Sequence, residues 1–408
     1  MQQITDKATF LVGNAQILEC MKMTSVRNLF DERVVDFLND LSRELLKNPA
    51  CKAFPDVISY AFWIRKSNII KQKERFETRP AKMGKGIAFH ITPSNVPVNF
   101  AVSMTSAILA GNPSVLRVSN KKFPQVDLIT ESMNGLLSEK YQDLQEMFCV
   151  LRYEYDDEMS TYLSEMCDIR IIWGGDGTIQ EMRRFPLQPR GAELTFADRH
   201  SLAVINSDEY MKQDAERVAE LFYTDTYYTD QNACSSPRLI VWMGSQIEEA
   251  KKKFWRYLKV KVKEEYEFSS VMAVDKYEKF CELATDIAMQ KTEPKIVSCD
   301  NICVRVKVSQ LTSQLMAYKM YGGYFFEYEA KALEELIPVF TKSCQTIAYL
   351  GVEAEKIYDV VKKSGVRGVD RIVPVGHTMD LSFYWDGNDM IDSMSRYVYV
   401  NRGEKGEK

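Results

Sequence analysis

From Gly84 to Pro374 short apolar runs alternate with stretches of helical periodicity, and this alternation limits the fold more than any other feature of the chain. Residues 86–91, 114–118, 148–151, 169–173 and 201–205 read as strands. Between them, helical patterns follow Pro97, with Phe100, Met104, Ala107 and Leu109 on one face and Gly111 as the stop, and cover 124–137 and 159–166. A second block repeats the rhythm, with strands at 239–242, near 295–307, at 345–349 and at 370–374, and helices at 246–258, 329–335 and 353–363. Such a rhythm predicts parallel, doubly wound α/β sheets, which bind ligands outside the carboxyl ends of their strands.

At 408 residues the chain exceeds one ordinary core, so two domains are expected. Residues 1–83 read as a helical lead-in. Asp31 caps a helix with Val34, Leu38, Leu41 and Leu45 inward and Pro49 beyond its end, and a second pattern spans 56–71. The expected division is the lead-in, a nucleotide-cofactor-binding domain at 84–205, a catalytic domain at 206–374, and a C-terminal segment at 375–408 with a charged, frayed tail.

A net charge of -4 argues against a nucleic-acid or membrane-surface protein. No basic, apolar leader opens the chain, and no run of about 18 apolar residues occurs, so neither secretion nor a membrane span is expected. Nine scattered cysteines without a CxxC pair, and only three histidines, argue against a metal centre and for a thiol-reduced cytoplasmic enzyme or binding protein.

Four stretches carry candidate chemistry. Gln231-Asn-Ala-Cys-Ser-Ser-Pro-Arg238 places Cys234 in a small, polar loop ahead of an apolar strand. Such a loop exposes backbone N–H groups to a thiolate and to the oxyanion formed when it attacks a carbonyl; the plain alternative is a polar turn. Thr92-Pro-Ser-Asn-Val-Pro97 puts Pro93 and Asn95 after a strand and before a helix, where the Asn95 amide is either an oxyanion donor or a helix cap. Arg117 and Asn120 end the next strand, where a ribose or phosphate sits in such sheets, and an arginine there suits a 2′-phosphate; solvation of Arg117 is the alternative. In Trp173-Gly-Gly-Asp-Gly-Thr178, Gly174, Gly175 and Gly177 allow a pyrophosphate to approach. That stretch alone also resembles the nucleotide motif of NAD kinases and diacylglycerol kinases, which makes a phosphotransferase the rival reading.

Together, and in their order along the chain, these stretches resemble the aldehyde dehydrogenase superfamily, and within it the LuxC-like acyl-CoA reductases. The finer resemblance rests on Gln231-Asn-Ala-Cys-Ser-Ser-Pro237, Gly368-Val-Asp-Arg-Ile-Val-Pro-Val-Gly376, Trp385-Asp-Gly387 and Ser395-Arg396, and covers roughly residues 84–400. It implies an aldehyde dehydrogenase-like α/β fold with a Rossmann-type cofactor domain and a catalytic domain.

Two departures matter. The superfamily's Glu-Leu-Gly-Gly segment aligns with Phe196-Ala-Asp-Arg199, without a carboxylate at the place of the water-activating glutamate. A thioester on Cys234 would then persist until hydride or another thiol takes it. The glutamate that binds the nicotinamide ribose aligns with Lys319, which is suited instead to a phosphate of NADPH or coenzyme A.

The resemblance therefore implies an aldehyde-forming reductase of acyl-CoA or acyl-adenylate. Cys234 is its nucleophile, Asn95 its oxyanion donor and NADPH its hydride source, with NAD(H) as the alternative. It further implies an acyl-protein synthetase partner and a homo-oligomer. His200 is a candidate helper of Cys234, while His377 reads as a surface group and Arg371 and Asp386 carry no assigned role. The runner-up is a CoA-acylating dehydrogenase of short acyl groups using NAD; a non-catalytic relative is the remaining reading.

Overall fold

The computed structural model describes residues 5–77, 81–267, 270–289, 295–300, 302–318 and 321–401. The chain forms two compact units, one of residues 1–197 with 381–408, the other of residues 198–380.

The first unit is built on a six-stranded sheet of β1 (Thr9–Val12), β3 (Ala88–Ile91), β4 (Ser114–Arg117), β5 (Phe148–Arg152), β6 (Ile169–Trp173) and β7 (Ala192–Phe196). Its order is β1-β5-β4-β3-β6-β7, parallel throughout except where β1 meets β5. The chain lays β4 and β5 to one side of β3, then returns to place β6 and β7 on the other. The direction of winding therefore reverses between β3 and β6, which is where open α/β sheets hold ligands.

Both faces of this sheet are covered, so its strands are apolar at successive positions instead of alternating. Ala88, Leu116, Val150 and Ile171 join one buried cluster, and Phe89, Val115, Leu151 and Ile172 the other. The first cluster is closed by helices α1 (Glu32–Lys47), α4 (Asn99–Leu109) and α5 (Pro124–Glu139), and the lead-in also supplies α2 (Pro55–Trp63) and α3 (Lys66–Glu77). On the opposite face lie α6 (Asp157–Met166) and the short α7 (Asp176–Met182). Asp31 caps α1 as expected, accepting from the backbone N–H groups of Arg33 and Val34.

The second unit carries a seven-stranded sheet of β8 (His200–Asn206), β9 (Pro237–Met243), β10 (Lys295–Asp300), β11 (Cys303–Lys307), β12 (Tyr324–Glu329), β13 (Cys344–Leu350) and β14 (Arg371–Pro374). The order is β10-β11-β12-β9-β8-β13-β14, and only the β10/β11 pair is antiparallel. Helices α8 (Ala215–Asp225) and α9 (Ile247–Glu265) pack on Ala203, Ile240, Phe325 and Ala348, while α11 (Ala354–Ser364) closes the face of Leu202, Leu239, Phe326 and Ile347. Between α9 and β10 runs α10 (Ser270–Met289).

Buried Glu327 ties this sheet to α9. One carboxylate oxygen accepts from the indole N–H groups of Trp242 at 3.0 Å and Trp255 at 2.8 Å. The other accepts two hydrogen bonds from Arg305 at 3.0 and 2.7 Å, so the buried charge is fully partnered.

Several expectations are corrected. The strand at 201–205, read as the last of the cofactor domain, is the start of the second sheet and lies near its centre as β8. Where a helix was expected at 329–335, β12 runs to Glu329 and a 3-10 turn covers Leu333–Val339, because Phe325 and Phe326 alternate into the two cores. The lead-in contributes β1, and the C-terminal segment returns to the first unit, where β17 (Ser395–Tyr397) pairs with β2 (Lys82–Gly84). Helix α4 starts at Asn99 with Val98 as its cap, so Pro97 precedes the first turn.

Candidate active-site residues in each unit

In the second unit Cys234 stands just before β9, at the amino edge of the sheet rather than the carboxyl edge. The approach to it is tightly bent. Asp230 and Gln231 both adopt left-handed backbone angles, with φ of 52° and 57°, a conformation that costs free energy in residues other than glycine. The buried Gln231 side chain offsets that cost. Its Nε2 donates to the carbonyls of Pro237 and Tyr324, both at 2.9 Å. Its Oε1 accepts from the N–H groups of Gly323 at 3.1 Å and Tyr324 at 2.9 Å. All four hydrogen-bonding capacities of the amide are thereby used.

The loop beyond Gln231 is anchored twice more. Ser201 on β8 donates to the Cys234 carbonyl at 2.7 Å, while its own oxygen accepts from the N–H of Thr346 on β13 at 3.2 Å. Ser235 donates to the Met379 sulfur at 3.4 Å. The Met379 turn is in turn held by Asp225, whose carboxylate accepts from the N–H of Gly376 at 2.6 Å and from the N–H and hydroxyl of Thr378 at 3.0 and 2.8 Å. Arg371 donates to the carbonyls of Thr378 and Asp380 on the same turn, which gives this motif arginine a positioning role. Burial, opposed by those hydrogen bonds, pushes the Asp225 carboxyl up to about 6.

Cys234 is partly exposed, whereas Cys51, Cys149, Cys167, Cys303 and Cys344 are buried. Burial pushes the thiols of Cys167 and Cys344 up to about 12, which makes them inert at neutral pH. Arg238, on β9, is 4% exposed, and its Nε has no hydrogen-bond partner among the described residues. Burial lowers its pKa, and the charges of Cys234 and Asp198 oppose that shift.

His200 is buried at the start of β8, and its Nε2 lies 3.2 Å from the Val339 carbonyl, which can only accept. Burial pulls its pKa down to about 4, so the ring is neutral and donates to a structural partner. That geometry suits a packing histidine better than a helper of Cys234. His377 is exposed and pairs with Asp380 at 2.8 Å.

In the first unit the candidates gather at carboxyl ends of strands, as expected. The Thr92 hydroxyl and N–H donate to the Arg117 carbonyl at 3.0 and 3.2 Å, joining the turns after β3 and β4. Pro93 is half-buried in the first of these turns. Asn95 follows, exposed, with no intramolecular hydrogen bond among the described residues, and the cap of α4 is Val98; the helix-cap reading of Asn95 is therefore set aside.

Arg117 forms no ion pair among the described residues. Its guanidinium lies 4.5 Å from the Tyr153 ring centroid and 5.8 Å from that of the exposed Tyr155. Asn120 donates to the Tyr153 carbonyl at 3.2 Å, so it shapes this edge through the backbone.

The glycine turn after β6 is supported from below. Trp173 stacks on Phe196 with ring centroids 3.7 Å apart and donates to Ser103 at 2.9 Å, and Ser103 meets the buried His90 Nδ1 at 2.7 Å. A side chain at Gly174 would press on Thr178 at 3.0 Å, whereas nothing lies within 4 Å of one at Gly177, so only the first is sterically crowded. Gly175 is the cap residue of α7, and Asp176 places a carboxylate in that helix's first turn, where a pyrophosphate would otherwise profit from the positive end. Lys319 lies outside the described residues.

The motif Trp385-Asp-Gly387 has a structural explanation. Asp386 and Gly387 have φ of 48° and 73° between β15 (Tyr384–Trp385) and β16 (Asn388–Asp389), which is the tight hairpin turn that an Asp-Gly pair favours. Among the described residues no cluster of three or more His, Cys, Asp or Glu side chains is arranged to hold a metal, and no helix is long and apolar enough to cross a membrane.

Sequence comparison matches residues 66–397 to a family model described as acyl-CoA reductase (LuxC). A long-chain acyl-protein thioester reductase of Aliivibrio fischeri is 24% identical over 309 residues, covering 72% of this chain and 61% of that protein. Its counterpart in Photobacterium leiognathi, long-chain acyl-protein thioester reductase 2, is 23% identical over 301 residues, covering 72% and 59%. The chain thus spans about three-fifths of the length of these curated relatives. Among solved structures, aldehyde dehydrogenase 21 from Physcomitrella patens superposes with a TM-score of 0.63 at 13% identity, covering 96% of this chain and 87% of that one. The NADP-dependent glyceraldehyde-3-phosphate dehydrogenase of Bacillus halodurans gives 0.61 at 13% identity, covering 93% and 87%. At these identities the structural matches establish an aldehyde dehydrogenase-like fold.

Proposed function

The chain belongs to the LuxC family of acyl-CoA reductases, and we propose that it converts an activated acyl group, a thioester or acyl-adenylate, to an aldehyde through a thioester on Cys234. The observation that carries this reading is the partly exposed Cys234 on a loop held by Gln231 and Ser201, while burial raises the thiols of Cys167 and Cys344.

In this reading the Cys234 thiolate attacks the acyl carbonyl. The new S–C bond forms as the bond to the carrier breaks, and the carrier leaves with the electron pair. On the resemblance, the oxyanion role goes to the Asn95 amide, which is exposed and makes no hydrogen bond among the described residues, and to the Cys234 backbone N–H. With no carboxylate at the place of the superfamily's water-activating glutamate, the acyl-enzyme is spared hydrolysis. A bound nicotinamide cofactor would supply the hydride that turns this thioester into aldehyde and restores the thiolate.

Cofactor-holding roles go to the first unit. Arg117, a cation without an ion pair among the described residues at the end of β4, suits the 2′-phosphate of NADPH, with Asn120 and Pro93 shaping the edge and Gly174 and Gly175 admitting the backbone-bound phosphates. Lys319 is assigned a phosphate contact on the resemblance alone. The names of the curated relatives support a protein-bound thioester as one form of the substrate, while an acyl-protein synthetase as partner rests on the resemblance alone.

The test is NADPH oxidation with acyl-CoA substrates of graded length, on wild type and Cys234→Ala. Aldehyde formed by wild type and lost in the variant is the expected result. If NADPH is untouched at every length and Cys234 takes up no acyl label, the reductase reading falls.

A further inference from the structure

Asp225, the last residue of α8, is fully buried and forms no ion pair among the described residues. A carboxylate there is disfavoured twice, by desolvation and by the negative end of the helix dipole. Its three hydrogen bonds all go to one turn: the N–H of Gly376 at 2.6 Å, the N–H of Thr378 at 3.0 Å and the Thr378 hydroxyl at 2.8 Å. The turn is also pressed onto the helix, since a side chain at Gly376 (φ 94°) would collide with Leu221 of α8. The exposed His377 favours the carboxylate less than these hydrogen bonds do, and it pairs with Asp380 at 2.8 Å.

Two routes lead from this point to the cysteine loop. Along the backbone, the Thr226 carbonyl, one residue beyond Asp225, accepts from the N–H of Gln231 at 2.8 Å. Through the side chain, Asp225 holds the turn, and Met379 on that turn accepts from the Ser235 hydroxyl at 3.4 Å. Gln231 precedes Cys234 and Ser235 follows it, so the end of α8 grips the loop on both sides of the cysteine. Arg371 braces the same turn from β14 through the carbonyls of Thr378 and Asp380.

We propose that Asp225 is a positioning residue for Cys234: its carboxylate locks the 376–379 turn onto α8, and the turn holds Ser235 and with it the cysteine in the attitude needed for attack. This rests on the reading of Cys234 as nucleophile. It gives a buried carboxylate outside the cysteine motif a task that packing alone does not ask for.

The test compares wild type, Asp225→Asn, Met379→Leu and the double variant in the full chain. Iodoacetamide alkylation of Cys234 is read by peptide mass spectrometry, and transfer of label from a radiolabelled long-chain acyl-CoA to Cys234 is read separately. A loop released from the turn opens more often, so Asp225→Asn should raise the alkylation rate about threefold or more. It should also lower acyl transfer roughly tenfold, because the thiol is no longer held for attack. With Met379→Leu already present, Asp225→Asn should change the alkylation rate little further, since the link to Ser235 is already cut. Wild-type alkylation in Asp225→Asn, or an effect that simply adds to that of Met379→Leu, overturns the proposal. Should Asp225→Asn fail to fold, Thr378→Val removes one of the three hydrogen bonds and decides in its place: faster alkylation supports the lock, and a wild-type rate overturns it. Failure of the nucleophile reading looks different, because wild type would then take up no acyl label while the alkylation rates still decide the role of Asp225.

Discussion

The side-chain amide of Gln231 pairs with the backbone of Tyr324 in both directions, donating to its carbonyl and accepting from its N–H at 2.9 Å each. The side chain thus behaves like one residue of an added strand at the amino end of β12, and this brings the cysteine loop to the sheet. Gln231→Ala would leave buried backbone groups of Gly323, Tyr324 and Pro237 unpartnered, at about 1–3 kcal/mol each when no water replaces the amide. We expect a loss of about 2–4 kcal/mol in stability and at least a tenfold fall in activity. Denaturant unfolding and steady-state kinetics would check both, and wild-type values in both would remove Gln231 from the site's support.

Glu327 makes a contrasting prediction, because it stabilises the second unit without belonging to the site. Removing its carboxylate leaves the half-buried Arg305 and two buried indole N–H groups without their acceptor. Glu327→Ala should cost about 3–5 kcal/mol. At temperatures where the variant is folded, the alkylation rate of Cys234 should match wild type.

Acid should weaken the fold through two buried histidines. Burial depresses His90 to about 3 and His200 to about 4, against an ordinary value near 6.5. Below the unfolded-state value the unfolded chain binds a proton that the folded chain refuses, so stability is lost as pH falls from about 6.5 toward 4. Asp225, raised to about 6, acts in the opposite sense, since the folded chain takes up its proton first. The comparison is therefore between wild type and His200→Asn, whose unfolding free energy should fall less steeply across that window. Parallel curves would show that His200 is not held neutral.

Arg117→Gln should separate the two nicotinamide cofactors. Losing a charge-assisted contact to a 2′-phosphate costs about 1.5–3 kcal/mol, a roughly tenfold to hundredfold weaker binding of NADPH. Binding of NADH should change little, since it lacks that phosphate. Isothermal titration with both cofactors reads the ratio, and equal losses for the two would detach Arg117 from the 2′-phosphate.

Periodicity alone was enough to read most of the first sheet. Ala88–Ile91, Ser114–Arg117, Phe148–Arg152 and Ile169–Trp173 are short apolar runs because each strand is covered on both faces, and helices with clear caps and stops separate them. Cys234 was legible for a different reason: a thiol among small polar residues ahead of an apolar strand is a local pattern, and it remains one in the fold.

Long-range pairing decided the rest. Nothing local assigns residues 201–205 to the second sheet, because a strand's partners are set by which edges the folded chain offers. The pairing of Ser395–Tyr397 with Lys82–Gly84 is of the same kind. Gln231 read as one more polar loop residue, and its task emerged only when Tyr324, far along the chain, supplied its hydrogen-bond partners. Arg238 read as part of a motif, and only the packed core around it shows a cation whose Nε–H has no partner among the described residues. Residue types and their local order thus determined the elements and pointed to Cys234 as the candidate nucleophile. Which charges are desolvated and which are answered was settled by tertiary structure, because burial and hydrogen-bond partnership are properties of segments brought together from across the chain.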